Sequence, residues 1–200
     1  MSRIESLTTA GIRALRDETL AQLSATYVAL SRFLTGSGSP LGVVSAPVGT
    51  EYVDTAATCG AVKWIKASGT GNTGWVVAYG DTGVRVLTAS DLNANTGIIT
   101  VRTAYLYRQA EMVDLSLVFN MIGTTGGSAL TLPLGFRVAH DDLYSLVMQY
   151  GGTTVNDASH SKTTGDVVFE GAYTADVTYI GTMTFMAASV WPTSLPGTAL

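Results

Sequence analysis

The sequence contains few of the residues that carry most catalytic and metal chemistry. Among its 200 residues are one cysteine and two histidines, and charged residues amount to 13%. The single cysteine, Cys59, excludes a disulfide within the chain. We interpret it as a small buried hydrophobic side chain rather than a reactive thiol, because unpaired cysteines are among the most buried residue types.

Long apolar runs are also missing. No stretch approaches the roughly 20 apolar residues that a membrane helix requires, so we expect no membrane insertion. The first residues do not resemble a signal peptide, because charged side chains such as Glu5, Arg13 and Arg16 interrupt any apolar core. We therefore expect synthesis in the cytoplasm without a signal peptide, with exit by lysis or as part of an assembly.

Charge of either sign is scarce, and this limits the classes of partner. The formal net charge is -4, and lysine and arginine form no cluster. Nucleic acid and anionic lipid are not expected as main partners, because both are bound through concentrated positive charge. The charged share is about half the usual share of about 25%. This composition indicates that much of the surface is covered in an oligomer or a particle.

The chain opens with a helical pattern of apolar residues. From residue 20 onward they follow each other at alternating steps of three and four, the spacing of a coiled-coil seam: Leu20, Leu23, Tyr27, Leu30 and Leu34. Before Leu20 the seam slips, because the step from Leu15 is five residues. We predict that residues 1–35 form a stalk in a parallel bundle of copies, since the chain offers no second helix as a partner. A helix lying on the rest of its own chain is the alternative.

Residues 36–41 are predicted as a linker and residues 42–96 as a small β-rich connector. The linker has the Gly, Ser and Pro composition of a short flexible segment. In the connector, β-branched and aromatic residues flank a loop at 68–74 with glycine at three of seven positions, which is typical of a β-hairpin. Trp64 and Trp75 stand on either side of this loop, and we expect both to be structural.

The same loop matches a nucleotide-binding pattern. Gly69, Gly71 and Gly74 have the G-x-G-x-x-G spacing of dinucleotide sites. That pattern binds pyrophosphate only where a helix begins after the loop, because the helix N-terminus receives the phosphates. Residues 75–79 instead have the composition of a strand. The loop is therefore predicted as a hairpin tip, and no cofactor is expected.

Beyond the connector, apolar and polar residues alternate with period two. One face of residues 113–121 is entirely apolar: Val113, Leu115, Leu117, Phe119 and Met121. Similar patterns cover residues 99–107 and 177–185, and shorter candidate strands lie at 143–150 and 166–170. Antiparallel strands joined by short turns, with no helix between them, predict a β-sandwich or jelly-roll-like head for residues 97–200. The whole chain is expected to be mainly β.

Several short runs after residue 41 form a recognisable set. They are GTEYVD at 49–54, GAVKWIK at 60–66, GW at 74–75, GDTGVR at 80–85, LPLGFR at 132–137 and WPTSLPG at 191–197. This set resembles segments of tail-fibre and minor tail proteins of long-tailed bacteriophages. The resemblance implies a receptor-binding virion protein, held through its N-terminal part by other tail proteins and meeting the host surface with its head.

Catalytic groups are hard to assemble from this sequence. His140 precedes Asp141 and Asp142, a grouping that can hold a metal or orient a base, but a solvated turn explains the same residues. A glycosidase needs two facing carboxyl groups, one of them kept protonated by burial. The candidates stand at predicted turns or strand ends, where water keeps them ionised: Glu111, Asp142, Asp157, Asp166 and Glu170. We therefore expect no enzyme activity and no metal.

Aromatic residues among polar loops in the last third of the chain favour carbohydrate binding. Sugars bind through apolar ring faces on aromatic side chains and through hydroxyl groups bonded to polar ones. Most strand tyrosines are core residues, so the candidate contacts form a broad set: His140, Asp141, Asp142, Tyr144, Tyr150, Asn156 and Trp191. We predict a homotrimeric phage tail fibre or tail-tip component whose head binds a host-surface glycan. A collar, head or tail decoration fibre is the first alternative, and a polysaccharide depolymerase is the second.

Overall fold

The computed structural model describes residues 9–30, 32–139, 147–150, 153–156, 158–161, 163–187 and 190–200. Within these residues the chain is mainly β, with one helix followed by fourteen strands in three sheets. The predictions of a mainly β chain and of a helix in its N-terminal part are confirmed.

Helix α1 spans Thr9–Leu30, and the predicted helix extending to residue 35 is wrong at its C-terminal end. Leu34 lies in strand β1 (Phe33–Gly36), which pairs in parallel with β2 (Glu51–Asp54). The Leu34 side chain is partly buried against the core of this sheet. Leu34 therefore gains burial and backbone pairing with β2 in the strand, whereas a further turn of helix would leave it exposed. No helix in the described ranges has the length and apolar character to cross a membrane.

The first sheet, here called the small sheet, has the strand order β1-β2-β3-β4. Strands β3 (Ala61–Lys66) and β4 (Trp75–Gly80) pair antiparallel around the glycine-containing loop, as the hairpin pattern predicted. Residues 36–41, predicted as a linker, are bonded to this sheet: the Gly38 amide donates to Asp54 Oδ1 at 2.8 Å. The core of the small sheet consists of buried aromatic and small side chains: Ala46, Tyr52, Ala61, Trp64, Trp75 and Trp191.

The large sheet has seven strands in the order β10-β9-β13-β7-β6-β5-β14, and a third sheet has the order β11-β12-β8. The two longest strands of the large sheet, β6 and β7, form a hairpin with its turn at residues 110–111. The bounds are β5 Arg85–Leu87, β6 Ile99–Gln109, β7 Met112–Met121, β8 Thr125–Thr131, β9 Val147–Tyr150, β10 Thr153–Asn156, β11 Ala158–His160, β12 Asp166–Ala172, β13 Thr178–Met186 and β14 Thr198–Ala199.

The large sheet and the third sheet share one hydrophobic core. Phe119 on β7 lies with its ring centroid 4.9 Å from that of Phe169 on β12 and 5.7 Å from that of Tyr179 on β13. The predicted apolar face of β7 is buried along its whole length. Each large apolar side chain buried in this way contributes about 1.5–3 kcal/mol.

The sheets interlock across the predicted boundary between connector and head at residue 96. Strand β5 lies within the predicted connector but belongs to the large sheet, where it pairs with β6. In the opposite direction, Trp191 follows the last long strand of the large sheet but packs in the core of the small sheet. The small sheet and the head therefore meet at a junction to which both ends of the β region contribute.

Candidate functional site

Three of the seven residues predicted as ligand contacts lie in the part of the chain that the structure describes. His140, Asp141, Asp142 and Tyr144 lie outside the described residues. Tyr150 ends β9 and Asn156 ends β10, two paired strands at one edge of the large sheet. Trp191 lies at the junction between the small sheet and the head, where it lines a cleft.

Trp191 is held in place on several sides. Its side chain is 5% exposed, and its Nε1 donates to the carbonyl oxygen of Cys59 at 2.7 Å. The guanidinium of Arg108 lies 4.8 Å from the ring centroid, within the range of a cation–π interaction. Gly80 permits the close approach of the ring, because a Cβ at that position would lie 2.7 Å from an atom of the indole. Trp191 thus connects the small sheet to the head.

Arg108 joins three loops at the same junction. Its Nε donates to the carbonyl of Ala110 at 2.9 Å, and its Nη1 donates to the carbonyls of Gly135 and Val190. Burial lowers its pKa to about 10, and the negative charge of Glu111 acts in the opposite direction. The side chain therefore stays protonated at neutral pH. Most of its hydrogen-bonding capacity is used by backbone groups of the protein itself.

The three tryptophans differ in their hydrogen bonds. Trp75 Nε1 donates to the carbonyl of Val44 at 2.8 Å, and Trp191 Nε1 donates to Cys59 as described above. Trp64 is 4% exposed, yet its buried Nε1 has no acceptor among the described residues. Buried polar groups in folded proteins are almost always hydrogen-bonded, so the Trp64 donor requires an explanation.

Two cavities lie beside these indoles. The larger has a volume of about 220 Å³ and lies between the small sheet, the end of β6 that carries Arg108 and the segment that carries Trp191. The smaller has a volume of about 190 Å³ and is lined by polar groups that include Asp54 and Thr58. Trp64 and Trp191 line both cavities.

Lys66 fixes the hairpin loop that resembles a nucleotide-binding sequence. Its side chain is fully buried at the end of β3, and its Nζ donates to the carbonyl oxygens of Gly71 at 2.6 Å and of Thr73. The ammonium also lies 5.7 Å from the Trp75 ring centroid. A phosphate site needs backbone amides that converge on an anion. This loop instead directs carbonyl oxygens at a cation of its own chain.

Two carboxylates near the strand ends have lowered pKa values. Burial raises the pKa of Asp54, but hydrogen bonds from the amides of Gly38, Ala57 and Ala56 outweigh it, so the net change is downward. The pKa of Asp166 is lowered first by the hydroxyl of Thr131, which donates to its Oδ1 at 2.7 Å. A glycosidic general acid needs the opposite shift. Asp166 is therefore unsuited to that role.

The junction offers a set of groups suited to binding. Its larger cavity combines three indoles with one guanidinium and the exposed Glu111 carboxylate. Elsewhere, across the parts of the chain that the structure describes, no three His, Cys, Asp or Glu residues form a group able to hold a metal ion. Comparisons of the sequence and the fold with protein-family models, with curated proteins and with solved structures returned no match.

Proposed function

We propose that this chain is a bacteriophage virion protein, a homotrimeric tail fibre or tail-tip component. Its head binds a glycan on the host cell surface during adsorption, and other tail proteins hold its N-terminal part. The head is a β-sandwich related to the jelly roll, and the helix is a coiled-coil stalk. The short runs between residues 49 and 197 support the proposal by their resemblance to tail proteins, and one structural observation carries it.

That observation is the uncovered apolar side of α1. Each described side chain from residue 12 to residue 27 is exposed. The apolar ones are 54–74% exposed: Ile12, Leu15, Leu20, Leu23 and Tyr27. Each residue turns the helix by about 100° about its axis, so these five side chains lie within an arc of about 140° around the helix. An apolar arc of this width is typical of a face that packs against another element. Most helices in proteins are stabilised by such a face, since propensity alone gives marginal helices. Copies of the same helix, aligned in parallel, would cover it.

Trimer formation is tested by placing charges on this face. Leu23→Asp with Leu30→Asp should convert the trimer into a monomer, because carboxylates in a coiled-coil seam are desolvated and repel each other. Ala14→Asp with Ala21→Asp is the matched control, with the same spacing on the opposite side of the helix. Light scattering should give a trimer mass for the unmodified chain and the control. A monomer mass for the unmodified chain would refute the stalk.

Adsorption is tested with the same proteins on cells. The labelled unmodified chain should bind intact host cells and slow adsorption of the phage. The monomeric variant should bind more weakly, because three linked heads make the later contacts effectively intramolecular. Cell-surface polysaccharide should remain at its original length. Absence of binding to cells would favour a collar or decoration fibre, and release of shorter saccharides would favour a depolymerase.

A further inference from the structure

A cleft at the junction of the small sheet and the head has the features of a ligand site. This indole cleft is the 220 Å³ cavity that Trp64, Trp75, Trp191, Val77, Arg108 and Glu111 help to line. Ligand sites occur preferentially where two structural units meet. Pockets for drug-sized ligands have volumes of about 300–1,000 Å³, so this cleft is suited to one ring rather than a chain of rings.

The lining favours a ligand that is apolar on its faces and polar at its edge. The indoles and Val77 supply apolar surface, and the Glu111 carboxylate supplies an acceptor for a hydroxyl group. The guanidinium of Arg108 is engaged by backbone carbonyls, and Glu111 carries the opposite charge close by. With both charges present and the cation already engaged, neither an anion nor a cation is favoured. The ligand indicated by these groups is neutral.

The Trp64 donor adds an independent argument for a ligand. Its two neighbours of the same residue type both donate to backbone carbonyls, so the fold can satisfy indole donors at this junction. Of the three indole donors, Trp64 Nε1 is the one that lacks an acceptor in the part of the chain that the structure describes. A ligand oxygen would supply that acceptor. Because the Nε1 atom is shielded, the ligand reaches it only as the side chains of the cleft move apart.

We propose that the indole cleft binds a single neutral hexopyranose residue, with the sugar ring against the indoles and one of its oxygens accepting a hydrogen bond from Trp64 Nε1. Glu111 accepts a hydrogen bond from a sugar hydroxyl. This inference rests on the proposed function, since it names the site through which the protein holds a surface glycan. Of the ligand contacts predicted from the sequence, this site retains Trp191.

Binding is measured on the full chain with four probes: the methyl glycosides of glucose, galactose, mannose and N-acetylglucosamine. At least one should bind and change the tryptophan fluorescence. Trp64→Phe should weaken the binding of that sugar about tenfold, which is equivalent to about 1.4 kcal/mol. The same substitution should lower the urea midpoint only slightly, because the smaller ring loses some packing in the core but the lost donor had no acceptor. Tyr105→Phe is the control, on an exposed position of β6, and should change neither quantity.

A second variant keeps the test valid if Trp64→Phe does not fold. Glu111→Gln alters an exposed side chain at the cleft and should weaken binding several-fold without changing the midpoint. Equal sugar binding by all variants would overturn the proposed site. If the chain binds host cells but none of the sugars, the proposed sugar site would also be overturned. The adsorption proposal would then stand. A chain that binds neither sugars nor cells would refute both proposals, and one that binds sugar but not cells would refute only adsorption.

Discussion

The described part of the molecule contains two hydrophobic cores of different composition. The core between the large and third sheets is broad and almost wholly apolar, with Phe, Leu, Val and Met drawn from many strands. The core of the small sheet is a group of aromatic rings with charged side chains at its margins: Lys66, Asp54 and Arg108. Each of these charges is bonded to backbone groups. The small sheet has a small apolar core and is stabilised in addition by hydrogen bonds between charged side chains and the backbone of loops.

This difference predicts different responses to mutation. A broad apolar core loses contacts locally when one side chain is shortened, and the neighbouring side chains can relax partly. In the small sheet a single side chain can make several different contacts at once. Trp75, for example, packs against Tyr52, bonds to Val44 and lies near Lys66. The small sheet should therefore be the more sensitive unit.

Truncation of Trp64 should give the largest effect. Trp64→Ala removes a nearly fully buried indole, which costs about 3–5 kcal/mol, and native stability is only about 5–15 kcal/mol. We expect insoluble or unfolded protein. Leu117→Ala, in the apolar core, is the comparison, with an expected loss of about 2–5 kcal/mol. Urea unfolding measures both variants. A soluble and cooperatively folded Trp64→Ala protein, as stable as Leu117→Ala, would remove the contrast between the cores.

Loss of the buried ammonium should have an intermediate effect. Lys66→Met keeps the aliphatic stem but leaves the Gly71 and Thr73 carbonyls without their donor, at a cost of about 1–3 kcal/mol. Hydrogen exchange of the amides at 68–74 should become faster. Lys63→Met is the control on the same strand, since Lys63 forms a half-exposed ion pair with Glu51. Its expected cost is below about 1 kcal/mol. Equal effects of the two substitutions would contradict the structural role of Lys66.

The smallest effect should appear as a dependence on pH. The pKa values of Asp54, Asp91 and Asp166 are all lowered in the folded chain. A carboxyl group of this kind stabilises the fold above its unfolded pKa of about 3.9, and the stabilisation is lost as pH falls below that value. Stability should therefore decrease below about pH 4. Asp54→Asn should flatten part of this decrease, and an unchanged pH profile for this variant would show that Asp54 does not contribute.

Local patterns in the sequence predicted the strands but not the polar contacts. The alternation along β7 is visible within ten residues, because the chain has period two wherever one sheet face is buried. The step of four residues from Leu30 to Leu34 fits a helical seam, so local spacing alone predicts Leu34 as a helix residue. Only the pairing of β1 with a strand that begins at Glu51 identifies it as a sheet residue. The end of the helix thus depends on a long-range strand pairing, which the spacing of nearby residues cannot reveal.

The candidate site depended even more on distant contacts. Trp191 donates a hydrogen bond to Cys59, which lies 132 positions away in the sequence. Arg108 donates one to Val190, which lies 82 positions away. No local pattern indicates which loops a guanidinium will join. Lys66 did carry a usable signal, because it stands two residues after Trp64 and therefore on the same face of β3. A lysine on the buried face of a strand should be expected to have carbonyl partners.

The parallel pairing of β1 with β2 has a mechanical consequence. Strand β1 is paired along its whole length, from Phe33 opposite Glu51 to Gly36 opposite Asp54. Additional backbone bonds close both ends, from Glu51 to Arg32 and from Thr55 to Gly36. A pull directed along the axis of β1 would load these bonds together in shear and would not open them one after another. The segment that joins helix to sheet is thus arranged to resist a steady pull.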